Sequence, residues 1–153
     1  MKVALGSAEI MKISLGDTLV WQAVTFLPSG MTKTGTQNLT TSWALLAGWT
    51  ANTGTYPGST VVSNALQAQG AKANATISAS LPFTSSFSYT KTARILLNGT
   101  VIATGDGVST NNGTMTATAS NVTLADGDDV TIEVMISTFA TGSVSAGGTV
   151  TIT

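Results

Sequence analysis

The sequence predicts an all-β protein, in which an N-terminal leader of β-hairpins precedes an antiparallel, jelly-roll-like β-sandwich. Apolar and polar residues alternate over 73–81, which is the period of a half-buried strand. In ARILLNGTVIAT, the pair Asn98-Gly99 joins two β-rich runs and indicates a type I′ hairpin. Short strands follow each other about every ten residues without a convincing helix, and this spacing is typical of β-sandwiches.

Residues 1–25 contain a doubled unit, VALGSAEI followed by ISLGDTLV. A Gly-Ser or Gly-Asp pair interrupts the β-forming residues of each copy, which predicts two tight hairpins or kinked strands. About 20 residues bury too little surface to be stable alone. We therefore expect this segment, called the leader below, to dock onto a larger partner.

The remaining chain divides by composition. Residues 26–42 are rich in Gly, Ser and Thr, which predicts a linker or extended arm, and residues 43–153 are expected to form the sandwich. Residues 61–75 are ambiguous, because Ala, Leu and Gln favour a helix whereas Gly70 and Asn74 oppose one.

Turns and a further strand are predicted within the sandwich. Tyr56-Pro57-Gly58 and Asp126-Gly127 are typical turn sequences. After the second turn, one buried face is expected to carry Val130, Ile132, Val134 and Ile136.

The chain is unusually poor in charge. Only 8% of its residues are charged, where about 25% is usual, and the net charge is -1. Six scattered cations form no basic surface, which argues against nucleic acid as a partner. Ser and Thr together supply 44 residues, so the surface is expected to be uncharged and rich in hydroxyls. Such a surface can be buried against other protein without desolvating ions, which suggests a component of an assembly and a homo-oligomer.

The longest apolar run, WALLAGW at 43–49, is well short of the roughly 18 residues that span a bilayer. Membrane insertion is therefore not expected.

Few residues suit catalysis or metal binding. The chain has no histidine and no cysteine, so it lacks the commonest general base and every thiolate ligand. The acids Asp126, Asp128 and Asp129, with Glu133, do not have the spacing of an EF-hand loop, and a solvated turn is the preferred interpretation. We predict no enzymatic activity, no metal and no cofactor.

Trp43, Trp49 and Tyr56 lie in a loop-rich region. One hypothesis makes Trp49 and Tyr56 stacking residues for a glycan of the host surface. The favoured alternative places these aromatics in the core or at a subunit interface, where large rings contribute most.

The leader VALGSAEIMKISLGDTLVW resembles the doubled unit, closed by Val-Trp, of many minor tail proteins from siphophages that infect actinobacteria. In that family a hydrophobic-x-Leu-Gly-[Ser/Asp/Gly]-Thr pattern is common; ISLGDTLVW fits it, whereas Ser7-Ala8-Glu9 departs from it. The stretches ARILLNGTVIATG and VTLADGDDVTIEV resemble small jelly-roll modules at the ends of phage tail proteins and fibres.

The resemblance implies a structural role in a virion that is assembled in the cytoplasm of a bacterial host. Its partners would be other virion proteins, and modules of this type are often trimeric. The docking residues that it implies are Leu5, Gly6, Ser7, Leu15, Gly16, Asp17 and Trp21. Two alternatives remain open: a decoration protein of the capsid, and a carbohydrate- or receptor-binding module.

Overall fold

The computed structural model describes residues 3–5, 8–10, 12–15, 17–22, 25–139 and 141–153. These residues form seventeen strands, and none of them lies in a helix. Accordingly, the described part of the chain offers no long apolar helix that could span a membrane.

The leader contains two antiparallel hairpins. Its strands are β1 (Val3–Leu5), β2 (Ala8–Ile10), β3 (Lys12–Leu15) and β4 (Thr18–Gln22). Strand β1 pairs with β2, and β3 pairs with β4. The described residues of the leader thus form two antiparallel strand pairs.

The other thirteen strands build a sandwich of two antiparallel sheets. In chain order they are β5 (Ser29–Lys33), β6 (Gln37–Asn38), β7 (Ala44–Leu45), β8 (Trp49–Ala51), β9 (Thr60–Val62), β10 (Ala65–Gln67), β11 (Lys72–Thr84), β12 (Lys91–Leu97), β13 (Thr100–Thr104), β14 (Asn112–Leu124), β15 (Asp129–Ile136), β16 (Ser143–Val144) and β17 (Thr149–Ile152). The predicted all-β, jelly-roll-like sandwich is confirmed.

The larger sheet is organised around β11. This strand pairs with β14 along one edge and with β16 and β17 along the other. Strand β17 continues to β5 and β8, and β16 continues to β6. In the smaller sheet β15 lies between β12 on one side and β10 and β7 on the other, and the outermost strands are β13 and β9.

The core lies between the sheets and is built by alternation. Burial alternates along the whole of β15, and its buried side chains are Val130, Ile132, Val134 and Ile136, as predicted. From the larger sheet, β11 contributes Ile77, Leu81 and Phe83, each at most 2% exposed. Full burial of one such side chain stabilises the fold by about 1.5–3 kcal/mol.

Two bulges limit the alternation that the sequence predicts over 73–81. Asn74 (φ 57°) and Asn121 (φ 58°) both adopt the left-handed conformation that asparagine tolerates better than most residues. The β11–β14 register shifts on either side of Ala75. As a result Ala73 is exposed, and the regular alternation begins only at Ala75.

Residues 26–42, interpreted from the sequence as a linker or arm, contain two strands of the larger sheet. Strand β5 pairs with β17 on one side and with β8 on the other. Ser29, Met31 and Lys33 are each at most 3% exposed, although two of the three are polar. Gly30 lies directly against the Tyr56 ring, where a Cβ would clash. Pairing on both edges of β5 and not the local sequence pattern places this segment in the interior, so the sandwich begins well before residue 43.

The ambiguous stretch 61–75 contains the β9–β10 hairpin and the start of β11. Ser63 and Asn64 have φ angles of 49° and 68°, the pair of positive values that a type I′ turn requires. Asn98 and Gly99 repeat this geometry with 49° and 79°, which confirms the turn predicted between β12 and β13.

We expect Gly105→Ala to destabilise the fold by at least about 2 kcal/mol, as severe packing substitutions do. Gly105 follows β13, its N–H donates to the Ala93 carbonyl (2.9 Å), and a Cβ there would overlap the Thr116 carbonyl oxygen of β14. Gly54 has open space around it, so Gly54→Ala is the matched control, expected within about 0.5 kcal/mol of wild type. Urea denaturation measures the free energy of unfolding of both variants. Equal losses of stability in the two would contradict the packing of Gly105 against β14.

Candidate interaction surfaces

The leader is the first candidate surface. Leu5 ends β1 opposite Ala8, and Trp21 lies in β4 opposite Ile13. Within the described residues, the ladders of β1–β4 stay inside the leader, and none of these strands joins a sheet of the sandwich.

Two of the predicted docking residues have a defined exposure. Leu15 is 79% exposed at the end of β3, and Asp17 is exposed in the turn that follows. Gly6, Ser7 and Gly16 lie outside the described residues. A leucine exposed beside a hairpin turn offers apolar surface to a partner, whose contact would remove it from water.

A small apolar pocket lies at the N-terminal end of the sandwich. Leu27 and Pro28 form one wall and the turn 55–58 forms the other, around a volume of about 250 Å³. The Leu27 N–H donates to the Gln69 carbonyl (2.8 Å), which fixes the first wall. Tyr56, one of the predicted stacking residues, is half-buried here and lines the pocket. The pocket has room for one or two apolar side chains.

Trp49 presents little free surface, whereas Trp43 is half-buried. Trp49 is 8% exposed, belongs to the core, and donates its indole N–H to the Leu46 carbonyl (2.7 Å). It therefore offers almost no face on which a sugar ring could stack. The guanidinium of Arg94 lies 4.2 Å from the centre of the Trp43 ring and pairs with Glu133 (Nε to Oε2, 2.7 Å).

The acidic turn is held by its own carboxylates. Asp126 accepts a hydrogen bond from the Gly70 N–H (2.7 Å), and Asp128 accepts one from the Asn98 amide (2.9 Å). The Asp129 N–H in turn donates to the Asn98 side chain (2.9 Å). In the parts of the chain that the structure describes, no group of three or more Asp, Glu, His or Cys residues is placed to hold a metal ion.

A group of aromatic side chains that the sequence analysis missed lies at one end of the sandwich. We call Phe87, Tyr89 and Phe139 the aromatic end. The Tyr89 ring centre is 5.6 Å from that of Phe87 and 6.2 Å from that of Phe139. Phe87 and Phe139 are 53% and 69% exposed, whereas Tyr89 is half-buried. The available signal was the alternation SFSYT in a serine-rich loop, but nothing local joins that loop to Phe139.

A buried lysine holds the loops of the aromatic end. Lys91 is fully buried at the start of β12, and its Nζ donates to the carbonyls of Phe87 and Thr110, each at 2.7 Å. The same Nζ lies 5.2 Å from the centre of the Phe83 ring. Because burial penalises the charged form, it lowers the pKa of Lys91.

Lys33 repeats this arrangement in β5. It is 3% exposed, and its Nζ donates to the carbonyls of Thr34 (2.7 Å) and Gly35 (3.1 Å). Burial lowers the pKa of Lys33 as well. Both ammonium groups thus serve as donors to backbone carbonyls inside the fold.

We expect Lys91→Met to destabilise the protein by about 1–3 kcal/mol at pH 7, because the carbonyls of Phe87 and Thr110 lose their donor. The stability of the variant relative to wild type should fall further as the pH rises from the lowered pKa of folded Lys91 towards its ordinary value of 10.5. Over that range the unfolded chain binds more protons than the folded one, so wild-type stability gains with pH and the variant lacks this gain. Urea denaturation at several pH values tests both; a deficit independent of pH would contradict the burial of the charge.

Comparison with known proteins shows the fold alone. No protein-family model and no curated protein matches the chain. Among solved structures it is similar to one described as Eiger TNF from S. frugiperda, with a TM-score of 0.58 and 11% sequence identity. The match covers 83% of this chain and 90% of that chain. The sandwich therefore has a TNF-like, jelly-roll architecture.

Proposed function

We propose that the chain is a structural, non-enzymatic protein of a bacteriophage virion, located in the tail or tail tip. The observation that carries the proposal is the leader, whose two hairpins pair within themselves and expose Leu15. A segment of this size needs a partner for stability. Its sequence resemblance to the leaders of minor tail proteins supports another tail protein as that partner.

The surface of the sandwich supports a place in an assembly. Charged residues make up 8% of the chain and hydroxyl residues are abundant, so packing against neighbours desolvates few ions. We include a homo-oligomer in the proposal, with a trimer as the expected state; sedimentation of the purified chain measures it. The similarity to the TNF structure shows the fold and does not identify a partner.

The non-enzymatic part of the proposal is supported by how the acids are used. Asp126 and Asp128 accept hydrogen bonds from protein donors, and Glu133 pairs with Arg94. These carboxylates therefore stabilise turns and a strand pair. The chain has no histidine that could act as a base beside them.

We expect a chain lacking residues 1–24 to fold but to be missing from virions. The sandwich strands and the core all lie beyond this segment, whereas the proposed docking hairpins lie within it. Cooperative unfolding of the purified truncated protein checks the fold, and mass spectrometry of purified particles measures incorporation. Incorporation at the wild-type level would refute docking through the leader.

The number of copies of this chain in each particle distinguishes a location in the tail from a location in the head. We expect a few copies per virion; hundreds would instead make the chain a capsid decoration protein.

A point variant tests the docking surface more finely. Leu15→Ser removes the exposed apolar side chain of the leader and should reduce incorporation several-fold. Val62→Ser is the matched control, because Val62 is an exposed apolar residue (48%) on the outermost strand β9 of the sandwich. Equal incorporation of the two variants would contradict a specific role for Leu15.

A further inference from the structure

We infer that the aromatic end is a binding site for a neutral saccharide. The inference goes beyond the proposed function, because it depends on the loops 85–90, 108–112 and 137–142 and not on where the protein is assembled. In this arrangement the exposed residues Phe87 and Phe139 supply rings for the ligand, and Tyr89 is close to both of them.

Hydrogen bonds hold the described residues of these loops together. Ser85 Oγ donates to the Thr141 carbonyl (2.6 Å), and the Ser137 N–H donates to the Thr90 carbonyl (2.8 Å), so two of the loops are joined. Lys91 joins loop 85–90 to loop 108–112 through the carbonyls of Phe87 and Thr110. A ligand therefore meets rings whose loops need little further ordering, which reduces the entropic cost of binding.

Phe139 carries a second indication of function. Its φ is 41°, a left-handed conformation that bulky residues rarely adopt and that costs free energy. The fold maintains this conformation although the ring is 69% exposed and gains little from burial. Strained residues of this kind cluster at active sites and ligand-binding sites.

The loops define the chemistry of the ligand. Eleven of their seventeen residues are Ser, Thr or Asn, and none is charged. Hydroxyl and amide groups both donate and accept hydrogen bonds, as sugar hydroxyls do. The apolar C–H face of a pyranose ring matches an exposed aromatic face, so a neutral saccharide satisfies both parts of the site.

Other ligand classes fit less well. The ammonium of Lys91 is buried and donates to two carbonyls, and these loops contain no other cation for a phosphate or a carboxylate. The site also differs from the pair expected from the sequence, since Trp49 is buried in the core.

The test is binding of the purified full-length chain to an array of neutral and acidic oligosaccharides, followed by calorimetry with the neutral oligosaccharide bound best. We expect wild type to bind at least one neutral oligosaccharide. The double variant Phe87→Ala/Phe139→Ala should lose at least about tenfold in affinity, because both stacking faces are removed. Phe139→Tyr keeps the ring and should stay within about threefold of wild type.

Val101→Ala is the matched control, because Val101 is exposed and apolar (41%) but lies on the outermost strand β13. It should bind like wild type, and thermal unfolding of each variant checks that the sandwich is intact. The inference is overturned if no neutral oligosaccharide binds at millimolar concentration, if acidic ones alone bind, or if the double variant binds as tightly as wild type. It is also overturned if the double variant changes only the oligomeric state, because the aromatic end would then be a contact between copies of the chain.

Discussion

The ladder between β11 and β14 is the pairing on which the rest of the sandwich depends. Both strands have thirteen residues, and their register runs from Lys72 opposite Leu124 to Thr84 opposite Asn112. One face of the ladder is buried over most of this length. The opposite edge of β11 receives β17 and β16, through which β5, β8 and β6 join the sheet. A shift of this ladder by one residue would exchange its buried and exposed faces, so the bulges at Asn74 and Asn121 also fix the register.

Although the chain has few charged residues, two of its lysines lie in the interior. Lys33 and Lys91 are buried and bond to backbone carbonyls: Lys33 holds the adjacent turn at Thr34 and Gly35, whereas Lys91 joins the loops of Phe87 and Thr110. The loops at the aromatic end are left without exposed charge, and the same composition that suits assembly also suits recognition of neutral ligands. Assembly and recognition would then occupy separate parts of the chain, the leader and the aromatic end.

Local patterns predicted much of the fold, and long-range contacts explain the rest. The turn at Asn98-Gly99 depends on the conformation of these two residues alone, so the sequence was enough to predict it. Lys33 looked like part of a solvated linker, because no local pattern shows that β8 and β17 enclose its strand. Trp49 lies in a loop-rich part of the sequence, but its side chain belongs to the buried core. Phe139 could not be predicted as part of a site, because its neighbour Tyr89 is fifty residues away in the sequence and only the tertiary structure brings their loops together.

The connection from the leader to β5 has a mechanical consequence. Strand β5 follows the leader closely along the chain and carries hydrogen bonds on both edges, to β17 and to β8. If the leader is anchored to a neighbour, a pulling force on the sandwich is transmitted first into an interior strand held by two ladders. An outermost strand held by one ladder, such as β9 or β13, would yield more easily under the same load. The order of the strands would therefore reinforce an attachment made through the leader.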